Sequence, residues 1–204
     1  MTNIELAQKA LEVYKDRDDW TYCQGGLGEY SNSQRIKGLY TYYRNKGNSS
    51  TCDYDVWLAK YGTSNTGFKQ CTDCSNFIQY LIRSGKNASV WSYTKMKSAG
   101  DIYTAPVGSI LLIGSSHAGI VVQQGVKDST GNFIVMPEAI DFYAYNQTCR
   151  KACYIGALWD KAVFLDGIDY NPTSGPQVSN IDGKYYICFN TYDEAQNFIN
   201  KVKL

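Results

Sequence analysis

Apolar positions near the start of the chain recur at helical spacing. Ala7, Ala10, Leu11 and Tyr14 make one stripe, and Thr2-Asn3-Ile4-Glu5 has the form of a capping box, so a helix is predicted over 2–15. Trp20-Thr21-Tyr22-Cys23-Gln24-Gly25-Gly26 is a short aromatic segment stopped by two glycines. Residues 27–69 are polar, rich in Gly, Asn, Ser and Tyr, and carry little periodicity. They read as an insertion with short helices around Arg35–Arg44 and Tyr54–Tyr61. From Gln70 the pattern sharpens. A turn-like Gln70-Cys71-Thr72-Asp73 runs into Phe77, Ile78, Leu81 and Ile82 on one helix face, with Thr72 or Asp73 as cap and Gly85 as a left-handed stop.

After a polar connection over 86–106 the period changes. Ile110-Leu111-Leu112-Ile113 is a short continuous apolar run that fits a buried strand, and His117–Gln123 is a second, β-rich segment. Asp128-Ser129-Thr130-Gly131 carries hairpin chemistry and leads into a third strand at Phe133–Met136. In the tail, Asp182-Gly183 signals another hairpin before Tyr185–Phe189. Ala195, Phe198, Ile199 and Val202 then form the stripe of a last helix opened by Thr191. A helix followed by an antiparallel meander indicates an α+β fold. The whole chain, 1–204, is expected to make one domain, with residues 160–204 as a C-terminal extension.

Composition narrows the function. With 19% charged residues and a net charge of +1, the chain has no basic field for nucleic acid or anionic lipid. No apolar run approaches the roughly 20 residues of a membrane span, and Met1-Thr2-Asn3-Ile4-Glu5 does not read as a signal peptide. The 18 tyrosines suit carbohydrate or peptide surfaces, but they suit strands equally well. Seven cysteines lean towards an oxidising destination. Apart from Cys74, the six at 23, 52, 71, 149, 153 and 188 could form up to three bridges, with Cys23 and Cys52 as candidate partners for Cys71. The sequence does not set an oligomeric state.

The candidate chemistry centres on Cys74. It falls in the first turn of the predicted helix, where free N–H groups and the helix dipole favour a thiolate. Its only possible imidazole partner is His117, the single histidine, at the start of a strand. A lone histidine is more often a packed residue satisfied by a carbonyl. A different reading takes Cys71 and Cys74 as a C-x-x-C pair that joins Cys149 and Cys153 in a four-thiolate metal site. The C-x3-C spacing of the second pair is unusual for zinc.

Taken in order, Tyr22-Cys23-Gln24-Gly25-Gly26, Asp73-Cys74-Ser75, Pro106-Val107-Gly108-Ser109 and His117-Ala118-Gly119-Ile120 resemble the motifs of the NlpC/P60 cysteine peptidases. The match spans roughly residues 20–30 and 70–140. The resemblance implies a papain-like core and hydrolysis of peptide bonds in bacterial peptidoglycan stem peptides through an acyl-enzyme on Cys74. It implies no cofactor and no metal. His117 would be the base and Glu138 the residue that orients it, with Asp141 as second choice. Tyr22 would sit beside the nucleophile, Ser75 and Asp73 at the oxyanion or substrate side. Asn76, Ser109 and Gln24 depart from the family pattern, where glycine, aspartate and tryptophan are usual, and the insertion is longer than the family norm. An amidase or acyltransferase would use the same pair, and a non-catalytic cell-wall-binding or phage or secretion-apparatus module could keep the same scaffold. A cell-wall substrate implies an extracellular or wall-directed destination.

Overall fold

The computed structural model describes residues 1–31, 33–47, 69–143, 148–170, 177–181 and 184–188. The predicted helix near Tyr54–Tyr61 and the one opened by Thr191 lie outside these residues. Helix α1 spans Asn3–Lys15, and its Thr2 cap makes the reciprocal bonds with Glu5 that define a capping box. Strands β1 (Trp20–Tyr22) and β2 (Leu27–Tyr30) follow, then α2 (Gln34–Asn45), capped by Ser33. Strand β3 (Gln70–Thr72) lies between them, parallel to β1 and antiparallel to β2. This small sheet delivers the chain to α3 (Cys74–Leu81), with α4 (Val90–Tyr93) a single turn beyond.

The main sheet is antiparallel, in the order β10-β4-β5-β8-β9. Its strands are β4 (Ile110–Ile113), β5 (His117–Gln123), β8 (Glu138–Asp141), β9 (Arg150–Cys153) and β10 (Lys161–Val163). Strands β6 (Val126–Lys127) and β7 (Phe133–Val135) form a separate ribbon. The third predicted strand therefore belongs to this ribbon and not to the main sheet. Strands β11 (Gln177–Ile181) and β12 (Lys184–Cys188) pair as the expected hairpin.

The continuous apolar character of β4 and β5 has a direct cause: both faces of the sheet are covered. Ile110, Leu112, Ala118, Ile120 and Val122 pack with Leu6, Leu11, Phe77 and Ile78 of α1 and α3, whereas Leu111 and Val121 face Tyr154, Trp159 and Ala162. Alternation within a strand sends neighbours to opposite faces, so a strand sandwiched this way needs apolar residues at every position. The α+β expectation holds, with helices on one side of an antiparallel sheet. Among the described residues no helix is long and apolar enough to cross a membrane.

Helix α3 ends differently from its prediction. Ser84 N–H donates to Gln79 O at 3.1 Å and Arg83 N–H to Tyr80 O at 2.9 Å, a Schellman pattern. The left-handed position is Arg83, at φ 53°, two residues before Gly85.

Candidate active site

Cys74 is the first residue of α3, and the helix start beneath it is tightly tied. Asp73 caps the helix: Oδ1 accepts from Asn76 N–H at 2.7 Å and from the Ser75 hydroxyl at 3.0 Å. Oδ2 accepts from the Asn76 amide at 3.0 Å and from Gly25 N–H at 2.7 Å. The Asn76 carbonyl oxygen accepts Ala88 N–H at 2.9 Å, and Ser75 Oγ lies 2.8 Å from Ala88 O. Asn76, where the resembling family has glycine, thus joins the helix start to the loop that walls the cleft. The side chains of Asp73 and Ser75, expected at the oxyanion or substrate side, are instead used to hold this N-terminus. The Asn76 and Phe77 N–H groups of the first turn are taken as well, by Asp73 Oδ1 and Asp73 O.

A cavity of about 340 Å³ opens over Cys74, with Tyr22, Gln24, Tyr43, Asn87 and Ser116 among its lining residues. Tyr22, the last residue of β1, therefore borders the same space as Cys74, as expected. The thiol is buried in the core it shares with Ala118, the residue after His117. Burial pushes the thiol up to about 12, the Asp73 charge adds to the rise, and the N–H groups of Ala118 and Ser75 oppose it without prevailing. This corrects the expectation of a thiol acidified by the helix start. Desolvation, which penalises a thiolate, exceeds the pull of the dipole here.

His117 opens β5, opposite Ile113, and is 8% exposed. Its Nε2 lies 2.8 Å from Asp141 Oδ2. Arg150 grips the same carboxylate with two bonds, Nε to Oδ1 at 2.7 Å and Nη2 to Oδ2 at 2.9 Å. Burial works against ionising Asp141, but the hydrogen bonds and charges of His117 and Arg150 outweigh it and hold the group below the usual aspartate value. An ionised Asp141 can only accept, so Nε2 carries a hydrogen and Nδ1 is the basic nitrogen of the ring. Trp159 stacks on the imidazole, with centroids 5.2 Å apart and planes at 26°, and Tyr143 meets it edge-on at 5.3 Å. The Arg150 guanidinium lies over the Tyr143 ring, 4.0 Å from its centroid. Gly119 makes this packing possible: a Cβ there would come 3.0 Å from Trp159 and 3.2 Å from the Asp141 Cβ.

Glu138 is not the orienting acid. It opens β8 and pairs with Gln123, at the far end of β5 from His117, while its carboxylate takes Lys151 Nζ at 2.7 Å. Six residues of strand separate positions 117 and 123, about 20 Å at some 3.3 Å per residue. Antiparallel pairing brings the other end of β8 to His117, and that end is Asp141. Arg150 sits directly opposite Asp141 on β9. No short-range pattern marks Arg150, Trp159 or Tyr143: Arg150 reaches the site through strand register, and the two rings by packing against the imidazole.

The four-thiolate reading is not assembled. Cys71 is buried with Ile36 and Tyr40 beneath α2, Cys149 bonds Val13 O, and Cys153 is exposed on β9. Among the described residues no group of three or more histidine, cysteine, aspartate or glutamate side chains is arranged to hold a metal ion. The thiols of Cys71, Cys74, Cys149 and Cys153 are unbridged.

Comparison with protein-family models, with curated proteins and with solved structures gives no match for this chain.

Proposed function

We propose that this chain is a cysteine hydrolase of the NlpC/P60 kind, with a papain-like core, that cuts peptide bonds in bacterial peptidoglycan stem peptides. The observation that carries the reading is the chain of contacts from Arg150 through Asp141 to His117, at the start of the strand whose Ala118, Ile120 and Val122 share one core with Cys74 and its helix. A histidine packed merely for stability needs no ionised aspartate held in place by a two-pronged arginine.

In the proposed reaction Cys74 starts as a thiol. Its proton passes to His117 Nδ1 as sulfur attacks the scissile carbonyl, so base and nucleophile act in one step. Asp141 stabilises the imidazolium that forms and keeps the ring in the productive tautomer. The oxyanion meets N–H groups at the start of α3, with the Tyr22 hydroxyl as a further donor. The imidazolium then protonates the leaving amine. Water, deprotonated by the same nitrogen, cleaves the thioester and restores the thiol. Neither a cofactor nor a metal enters this scheme. An amidase or acyltransferase would share the first half and differ only in leaving group or acceptor. The substrate implies action at the cell wall.

The raised thiol pKa favours a second reading, a cell-wall-binding or phage or secretion-apparatus module on the same scaffold, in which Cys74 is inert. Incubating purified peptidoglycan with the wild type, Cys74→Ala and His117→Ala, and reading released fragments by mass spectrometry, separates the two. New fragments from the wild type alone support the hydrolase. No fragments from folded wild type, or the same fragments from all three proteins, defeat it.

A further inference from the structure

Helix α2 belongs to the long segment that separates β2 from β3. It is docked by its own apolar side chains, since Ile36 and Tyr40 are buried in one cluster with Cys23 and Cys71. Arg35, on the same helix, serves a different set of groups. Its Nη1 pairs with Glu29, whose other carboxylate oxygen accepts Leu27 N–H at 2.7 Å, so the guanidinium is tied to the backbone of β2. Its Nη2 donates to Gly25 O at 2.7 Å and to Asn87 Oδ1 at 3.1 Å, one hydrogen for each.

Both of those contacts lead to the helix start at Cys74. Gly25 N–H donates to Asp73 Oδ2 at 2.7 Å. Ala88, next to Asn87, donates its N–H to Asn76 Oδ1 at 2.9 Å, and the Asn76 amide donates to Asp73 Oδ2 at 3.0 Å. Gly25, Asp73, Asn76, Asn87 and Ala88 all line the cavity over Cys74, and Arg35 closes them into a ring. A partly exposed ion pair with Glu29 stabilises little by itself, and a lysine could make it too. What arginine adds is a planar fork that meets three acceptors in fixed directions.

We propose that Arg35 is a positioning residue of this cleft: it fixes the Gly25 peptide and the Asn87 side chain relative to one another, and so makes helix α2 part of the substrate-binding unit. The inference rests on the peptidase reading for its substrate class.

One synthetic stem tetrapeptide tests it, with binding to Cys74→Ala measured by calorimetry and cleavage by the chain that keeps Cys74 followed by chromatography. Arg35→Met should weaken binding and raise KM by about tenfold while kcat stays within about threefold, because the loss falls on ground-state binding. Arg35→Lys keeps a cation for Glu29 but not the fork, and should still weaken binding about fivefold. Asn87→Ala should act in the same sense, and combining it with Arg35→Met should weaken binding less than about twofold beyond the worse single change. An arginine that only staples α2 would lower the melting temperature, leave KM unchanged and be replaced fully by lysine. Unchanged binding in folded Arg35→Met, full rescue by lysine, additive Arg35 and Asn87 effects, or no binding of the peptide to Cys74→Ala overturns the proposal. If Arg35→Met fails to fold, Arg35→Lys and Asn87→Ala decide by the same criteria. Binding that weakens as expected, without cleavage by the wild type, removes the peptidase reading and leaves the role of Arg35 intact.

Discussion

Asp141 holds His117 from across the sheet, its Oδ2 2.8 Å from Nε2, although the residue paired squarely with Asp141 on β5 is Gly119. The contact is diagonal, and it needs a residue without a side chain at 119 so that carboxylate, imidazole and Trp159 can close over one another.

Removing that carboxylate while keeping its shape should separate orientation from packing. Asp141→Asn is expected to lower kcat on a stem peptide by about a hundredfold or more, because the ring loses its tautomer control and the stabiliser of its charge. Glu138→Gln should stay within about twofold, since Glu138 serves only Lys151. Steady-state kinetics on the three proteins checks both.

Asp141 also predicts how stability follows pH. Its folded pKa lies below the ordinary value of 3.8, so the stabilisation it brings is fully present above that value and is lost as pH falls through the folded pKa. Melting temperatures of wild type and Asp141→Asn should differ by a constant amount above about pH 5 and converge below about pH 4. A gap that widens on acidification would contradict the assignment. Asp73 has the opposite sign: burial raises its pKa, and what it contributes through titration is lost as pH rises.

The Cys74 thiol, pushed up to about 12, is expected to label slowly with iodoacetamide at neutral pH. The rate should climb with pH from about 7 to 10 without levelling off. A plateau near pH 7 would instead reveal a preformed thiolate. Peptide mapping distinguishes Cys74 from the exposed Cys153.

The cap under Cys74 should dominate the stability of α3. Asp73→Ala strips the acceptor from four donors in a buried site, and a loss of about 3 kcal/mol or more is expected from denaturant titration.

The opposite end of α3 can be improved. Arg83 occupies a left-handed conformation that glycine adopts without strain. Arg83→Gly should raise stability by about 1 kcal/mol, visible as a higher denaturant midpoint with unchanged slope.

How far the sequence reveals this molecule depends on the range of each interaction. The capping box of α1, a short helix around Arg35–Arg44, the helix that starts at Cys74 and the apolar run of β4 are written in residues a few positions apart, and all are legible; the cover on both faces of β4 and β5 is not. The choice between Glu138 and Asp141 is not, because it turns on which end of β8 meets His117, a matter of strand direction and register. Strands β9 and β10 escape notice for a related reason. Arg150-Lys151-Ala152-Cys153 has neither alternation nor β-branched residues, and it becomes a strand by pairing with β8. The pKa of Cys74 is legible only by half: the helix start is local, the burial that opposes it is assembled from β5 and the loops.

The ties around Asp73, Asn76 and Ala88 join the Cys74 helix start, the Gly25 loop and the 86–89 loop into one jaw. Another tie crosses from the turn ahead of His117: Gly114 N–H donates to Asp160 and Ser116 donates twice to Ile113 O. A substrate entering this groove would be met by a fixed anvil bearing the sulfur, and by a pinned turn just ahead of the histidine.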